Sequence, residues 1–327
     1  MTVVVNFHQR TDTTASNAGC NPARSPRSAD HGFISASLPT TPSSLTLLLI
    51  ILGGCLNGYA VRISEALYVP GMATLFLGLS PFDLIVMFAA ATLLLEHSST
   101  DGAPDADAGP VTRNHVRIGL PEAIALVCVL IPSSTISWLA VAIYSGYYAV
   151  RLTDARRYGL ALFAGLALTA LWSSVGMKYA GPTITTIEAA MVAAILSVAI
   201  DGVAQSGNVV GNPQVFSLIV MAACSTLDGL PKALLGLGAV MWLSGTLRQQ
   251  PYIASAAALI AIYATANMVR LSTMAVSEEW YQLAHGPVGA GVFDATIVAT
   301  VFALSLCWSA PDQAVAGNSV SQAEPST

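Results

Sequence analysis

The chain has 327 residues, 54% hydrophobic and only 9% charged, with a formal net charge of −5. Soluble domains carry about 25% charged residues, so an ordinary soluble fold is excluded. The net charge says little by itself, because so few charges can gather on one surface, and it gives no reason to expect a nucleic-acid partner.

In chain order, residues 1–43 are rich in Ser, Thr, Pro, Asn and Arg without apolar periodicity, and read as a disordered polar tail. The first apolar run starts at Leu45, too late for an ordinary cleaved signal peptide. Apolar segments follow near 44–61, 71–95, 119–150, 159–177, 184–203, 209–224, 229–247, 251–270 and 289–310. Several are uncharged for 18 or more residues, long enough to cross a bilayer as a helix. The expected fold is therefore an all-α, polytopic transmembrane helical bundle of about 7–9 hydrophobic segments over residues 44–310, a count made from the sequence. The hydrophilic stretch 96–117 is expected to be a connector, and 311–327 a second polar tail.

Two segments depart from simple spans. The run 184–203 carries Glu188 near its start and Asp201 near its end, and 204–224 mixes Gly, Asn and Pro with apolar residues. That second stretch is expected to be re-entrant or to lie at the interface, since irregular backbone is tolerated at depth only against protein or a wet cavity. Counting it as a crossing is the alternative, and the sequence leaves both open.

Arg and Lys in short loops set orientation. The cluster Arg151, Arg156 and Arg157 is placed in the cytoplasm, and Arg248 with it. One helix back from Arg248 lies Cys224, and one helix forward lies Arg270, both then at the external face. His285 falls in the external loop that follows.

Arg270 stands after a long uncharged run. An arginine at a helix centre costs roughly 2.5–3.5 kcal/mol on insertion scales. Near a helix end it can instead snorkel to the head groups. Asn267 lies one turn earlier on the same face, and the polar pair favours an interior position in which Asn267 holds Arg270. Cys224 alone reads as packing, as do the other four cysteines, Cys20, Cys55, Cys128 and Cys307, which form no CxxC or Cys/His cluster. His285, Gly289 and Phe293 recur at intervals of four and are expected on one helix face, with Gly289 open to close approach by a substrate helix. A thiol, a guanidinium and an imidazole at one membrane face have the parts for acyl transfer. The thiolate attacks a carbonyl, the imidazole moves the proton and the cation steadies the oxyanion.

These residues resemble the exosortase/archaeosortase family of membrane cysteine transpeptidases. That family carries a Cys-Ser-Gly block, an Asn-x-x-Arg block and a His-x3-Gly-x3-Phe block. Here the matching stretches are AACS ending at Ser225, NMVR ending at Arg270 and HGPVGAGVF from His285 to Phe293. The likeness covers residues 184–310 and is general hydropathy before that. It implies a multi-pass enzyme of the bacterial inner membrane with its site facing outward. Such an enzyme cleaves exported proteins at a C-terminal sorting tail of motif, membrane helix and basic cluster, and passes the new C-terminus to an acceptor. It implies Cys224 as nucleophile, Arg270 for the oxyanion or substrate orientation, His285 in the third place, and Ser225 beside the thiol. No metal or organic cofactor is implied. The chain departs from the family at Thr226 and Asp228, where Gly and Arg are usual, and Lys232, one turn after Asp228, is expected to pair with it. The competing readings are a transporter that binds an anionic small molecule or lipid through Arg270 and Asn267, and an inactive assembly factor for envelope polysaccharide.

Overall fold

The computed structural model describes residues 42–68, 79–96, 119–247 and 249–307. The expected polar tails apart from residues 42 and 43, residues 71–78 of the expected second apolar segment, most of the 96–117 connector and Arg248 lie outside them. The helices are α1 (Ser44–Tyr68), α2 (Pro81–Glu96), α3 (Leu120–Leu130), α4 (Ser134–Arg151), α5 (Arg156–Leu171), α6 (Met177–Leu196), α7 (Thr226–Leu243), α8 (Gln249–Met274), α9 (Glu278–His285) and α10 (Pro287–Leu306). Among the described residues, four helical stretches are long and apolar enough to cross a membrane: Ser44–Leu67, Arg156–Leu196, Gln250–Met274 and Pro287–Leu306. The mainly helical, membrane-type architecture stands.

Three boundaries differ from expectation, each for a local reason. The run 119–150 is two helices. Pro132 cannot donate a backbone hydrogen bond, and Ser133 caps α4 by accepting from the Ile136 amide. The resulting hairpin is held at its tip by Asn57 of α1, whose amide donates to the carbonyls of Val129 (2.8 Å) and Ile131 (2.7 Å) and to Ser137 Oγ (2.7 Å). Conversely, 159–177 and 184–203 are not separate. α5 and α6 join through a π-turn, Trp172–Gly176, into one helical stretch of 41 residues. At 1.5 Å per residue that is about 60 Å, twice the hydrocarbon thickness of about 30 Å. The stretch therefore runs well past the level at which a simple span would end.

The third difference lies in residues 204–224, where the stretch expected to be re-entrant, interface-lying or a crossing holds short strands and no spanning helix. They form an antiparallel sheet ordered β1 (Ala204–Ser206), β2 (Val209–Asn212), β3 (Phe216–Ile219), followed by a 3-10 turn, Ala222–Cys224. A two-residue Gly207–Asn208 turn, with Gly207 at φ 59°, sets the register Ser206↔Val209. Asn212 Oδ1 accepts from the Gln214 amide (3.0 Å) and closes the second loop. Pairing of β2 with both neighbours satisfies backbone groups that an apolar irregular stretch would leave unpaired.

The apolar interior falls into three clusters. One joins α1, α2, α4 and α5 around Leu47, Ile51, Val86, Trp138 and Phe163. A second joins Phe82 to α7, α8 and α10 through Leu237, Leu259 and Ile297. The third lies between α6, the sheet and the end of α8, with Val192, Val210, Leu218, Leu271 and Met274, and it includes Cys224. The helix directions can be read from the contacts. Tyr158 at the start of α5 stacks on Trp242 at the end of α7, with centroids 4.0 Å apart, so the Arg156–Arg157 end lies with the end of α7. At the opposite end, Trp172 Nε1 donates to the Leu227 carbonyl at the start of α7 (2.7 Å). Cys224 is thus a full helix length from the arginine cluster.

Candidate active site

Cys224 closes the 3-10 turn, and Ser225 is the N-cap of α7, accepting from the Leu227 amide (3.2 Å). Three other elements fix this junction. Asn267 of α8 donates through Nδ2 to the Cys224 carbonyl (3.0 Å) and to Thr226 Oγ1 (3.1 Å). Glu188 of α6 accepts from the Thr226 amide (2.8 Å), filling one of the open donors at the helix start. Trp172 binds the Leu227 carbonyl from the π-turn. The role expected for Asn267 is thereby corrected. Its amide does not hold Arg270; it anchors the backbone of the thiol residue, because its side chain points across to the first turn of α7.

The thiol opens on a cavity of about 160 Å³ lined by, among others, Cys224, Asp228, Lys232, Asn267, Arg270 and Asp294. Ser225, Tyr263, Phe293 and, from the start of α2, Ser80 and Phe82 complete much of its wall. Ser80 and Asp83 cap each other, Ser80 N donating to Asp83 Oδ2 and Asp83 N to Ser80 Oγ, both at 3.2 Å, which sets the lip of the cavity. Four charged side chains thus face one small space. Among the described residues none of them is in an ion pair, and the expected Lys232–Asp228 pair does not form. The two residues share a helix face, yet both stay directed to the cavity.

Arg270 is half-buried. Its Nε donates to the Ala284 carbonyl (3.2 Å), and its guanidinium carbon lies 5.1 Å from the centroid of the Phe293 ring. Its terminal nitrogens carry no hydrogen bond among the described residues, and are free for a ligand. Burial pushes the Cys224 thiol up from its ordinary value of 9.0; the Arg270 guanidinium opposes this, while Glu188 and Asp228 add to it. At neutral pH the sulfur is therefore a thiol, and its reaction as a nucleophile requires a proton acceptor.

No family model, curated protein or solved structure matches this chain. The site rests on its own geometry.

The structure brings Cys224, Ser225, Asn267 and Arg270 together; His285 is not part of the cavity wall, and its link to the site is through its neighbour Ala284, whose carbonyl accepts from Arg270. His285 ends α9, stacked on Tyr281 at 5.0 Å between centroids, with its Nδ1 buried and unpartnered. It does not share a helix with Gly289 and Phe293. Gly286 caps α9 in an extended conformation and Pro287 begins α10, a position proline favours because its missing N–H is not needed there. At Gly289 the close approach is to the chain's own backbone: an added Cβ would lie 2.6 Å from Ala284 Cα.

Sequence reasoning missed Asp294, Tyr263 and the structural part of Glu188. Asp294 had a signal, as the sole charge in the apolar α10, and such a residue is by default a functional candidate. Tyr263 had none. Its hydroxyl reaches the cavity wall only because Gly229, a turn into α7, leaves room where any Cβ would collide with it.

Proposed function

We propose that the protein is a membrane-embedded cysteine peptidase or transpeptidase of the exosortase type, acting on exported polypeptides that end in a sorting tail of motif, apolar helix and basic cluster. The observation that carries this reading is the shared cavity, with a thiol at the start of a helix and a guanidinium whose terminal nitrogens are unspent. At about 160 Å³ it is smaller than the roughly 300–1,000 Å³ of small-molecule pockets, and suits one peptide unit better than a whole transported solute.

In the proposed reaction the Cys224 sulfur, deprotonated as it attacks, adds to the carbonyl carbon of the scissile peptide. Arg270 donates to the oxyanion that forms. The C–N bond then breaks, the amine leaves with a proton, and a thioester remains on Cys224. An acceptor nucleophile attacks the thioester carbonyl, forming the new bond and returning the thiolate. His285 is assigned the proton transfers, for which its ring leaves the Tyr281 stack and turns toward the cavity. The thiol face is assigned to the exterior, because Arg151, Arg156 and Arg157 lie at the opposite end.

The test is release of the C-terminal tail from a co-expressed exported reporter, followed by immunoblot. Cys224→Ala abolishes release, Cys128→Ala leaves it unchanged, and Arg270→Gln lowers it by about 10²–10³-fold, the usual cost of losing an oxyanion donor. Equal release by wild type and Cys224→Ala defeats the proposal.

A further inference from the structure

Arg270 and Phe293 line two spaces, not one. On their far side from Cys224 lies an open groove of about 470 Å³ between α8, α9 and α10, lined almost wholly by apolar groups. Ala266 and Val269 of α8, Ala284 of α9, and Gly289 and Val292 of α10 form its walls. α8 and α10 each have the length and hydropathy of a membrane span. Val269, Val288 and Val292 are each more than 60% exposed, so the groove opens sideways from the pair of helices rather than into the interior. Each helix therefore presents two faces. α8 turns Tyr263, Asn267 and Arg270 to the thiol cavity and Ala266 and Val269 to the groove. α10 turns Asp294 and Ile297 to the cavity and Val292 and Thr296 to the groove.

We infer that this groove is the docking site of the substrate's apolar membrane helix, which enters laterally from the bilayer, with Arg270 and Phe293 forming the sill that the adjoining peptide crosses to reach Cys224. The inference rests on the peptidase reading. Three features favour a helix as the occupant. The groove and the cavity share Arg270 and Phe293 as a common wall, so a chain that crosses these two side chains from a docked helix enters the space that holds the thiol. Apart from Leu283 and the sill itself, the groove's walls are small and β-branched residues, which let a third helix pack closely where lipid-like surface alone gives no drive to associate. And the sill is held lightly, by one Arg270 hydrogen bond to Ala284 and by the face of Phe293, so a passing peptide displaces little.

The test places the photoreactive residue p-benzoylphenylalanine at Val292 in the full chain, or at Ile253 near the other end of α8 as control, in a Cys224→Ala background that retains the tail. The partner is the reporter tail whose release depends on Cys224. Irradiation is expected to give reporter adducts at Val292 at least tenfold above those at Ile253. Equal yields at both positions, or adducts carrying only phospholipid, overturn the inference. In the native background, Val292→Trp fills the groove and is expected to slow tail release at least tenfold, while the alkylation rate of Cys224 stays within twofold of wild type and reports an intact cavity. Unchanged release by this variant also overturns it. If release depends on Cys224 but these signatures are missing, the groove fails and the peptidase stands. If no reporter shows Cys224-dependent release, the peptidase reading fails and the groove falls with it.

Discussion

At the scale of single residues, the thiol is shaped by opposing influences. Burial disfavours the thiolate, and the position before α7 and the guanidinium of Arg270 favour it. Because the net direction is upward, alkylation of Cys224 by a soluble maleimide should still be rising at pH 9.0, the ordinary thiol value, rather than levelling off below it. Arg270→Gln removes the opposing cation and should slow alkylation further at fixed pH. Faster alkylation in that variant would mean the guanidinium does not act on the sulfur. Tyr263 and Gly229 make a second residue-scale case. Gly229→Ala puts a methyl where the tyrosine hydroxyl sits, and is expected to cost about 1–3 kcal/mol by overpacking, read as a lower melting temperature in detergent. Tyr263→Phe should restore part of that loss in the double variant, since the hydroxyl is the atom displaced. Arg270 and Asn267 were legible in the sequence because a charge or amide stands out in an apolar run, whereas Cys224, which alone reads as packing, stood out only by its place at the same face and by the motif resemblance. Tyr263 was not legible, because a tyrosine in such a helix is unremarkable until its glycine partner on another helix is known.

At the scale of elements, single residues rather than hydropathy mark the breaks. Hydropathy shows where apolar chain lies and does not separate one long helix from two, so 159–203 reads as two segments and 119–150 as one. Pro132 followed by Ser133 held the break, and Gly207–Asn208 between short apolar runs held the hairpin turn. The α9–α10 junction was equally visible as Gly286–Pro287, yet the four-residue spacing of His285, Gly289 and Phe293 drew the helix through it. The α3–α4 tip illustrates how a polar side chain sustains such a break. Asn57→Ala should remove its three acceptor contacts, costing about 0.5–1.5 kcal/mol, the net worth of a hydrogen bond whose acceptors water can still reach. Thermal unfolding should show the loss, while Cys224 alkylation, which depends on α7 and α8, should be unchanged.

At the scale of the whole molecule, the chain places its basic loop and its thiol at opposite ends of the same helices. In the proposed orientation, which follows the positive-inside rule, the Arg156 end faces the cytoplasm and the cap of α6, sheet and α9 faces the other side. Two exposed positions test this. Cys307 closes α10 at the arginine end, and Gln205 lies on β1 at the thiol end. With other cysteines removed, a membrane-impermeant maleimide applied to intact cells should label Gln205→Cys and spare Cys307. The reverse pattern would place the cavity on the cytoplasmic side and remove exported tails from reach. The mainly helical, membrane-type character followed from composition and the lengths of the apolar runs. The meeting of side chains from α7, α8 and α10 in one cavity did not, since it depends on helix directions and on the joined α5–α6 stretch.

The acyl-transfer account depends most directly on a covalent intermediate. Wild-type protein isolated from cells that express the reporter, quenched in acid and analysed by peptide mass spectrometry, should carry the reporter's new C-terminus on the peptide containing Cys224, removable by hydroxylamine. Tail release that proceeds with no such adduct, and that persists in Cys224→Ala, would contradict it.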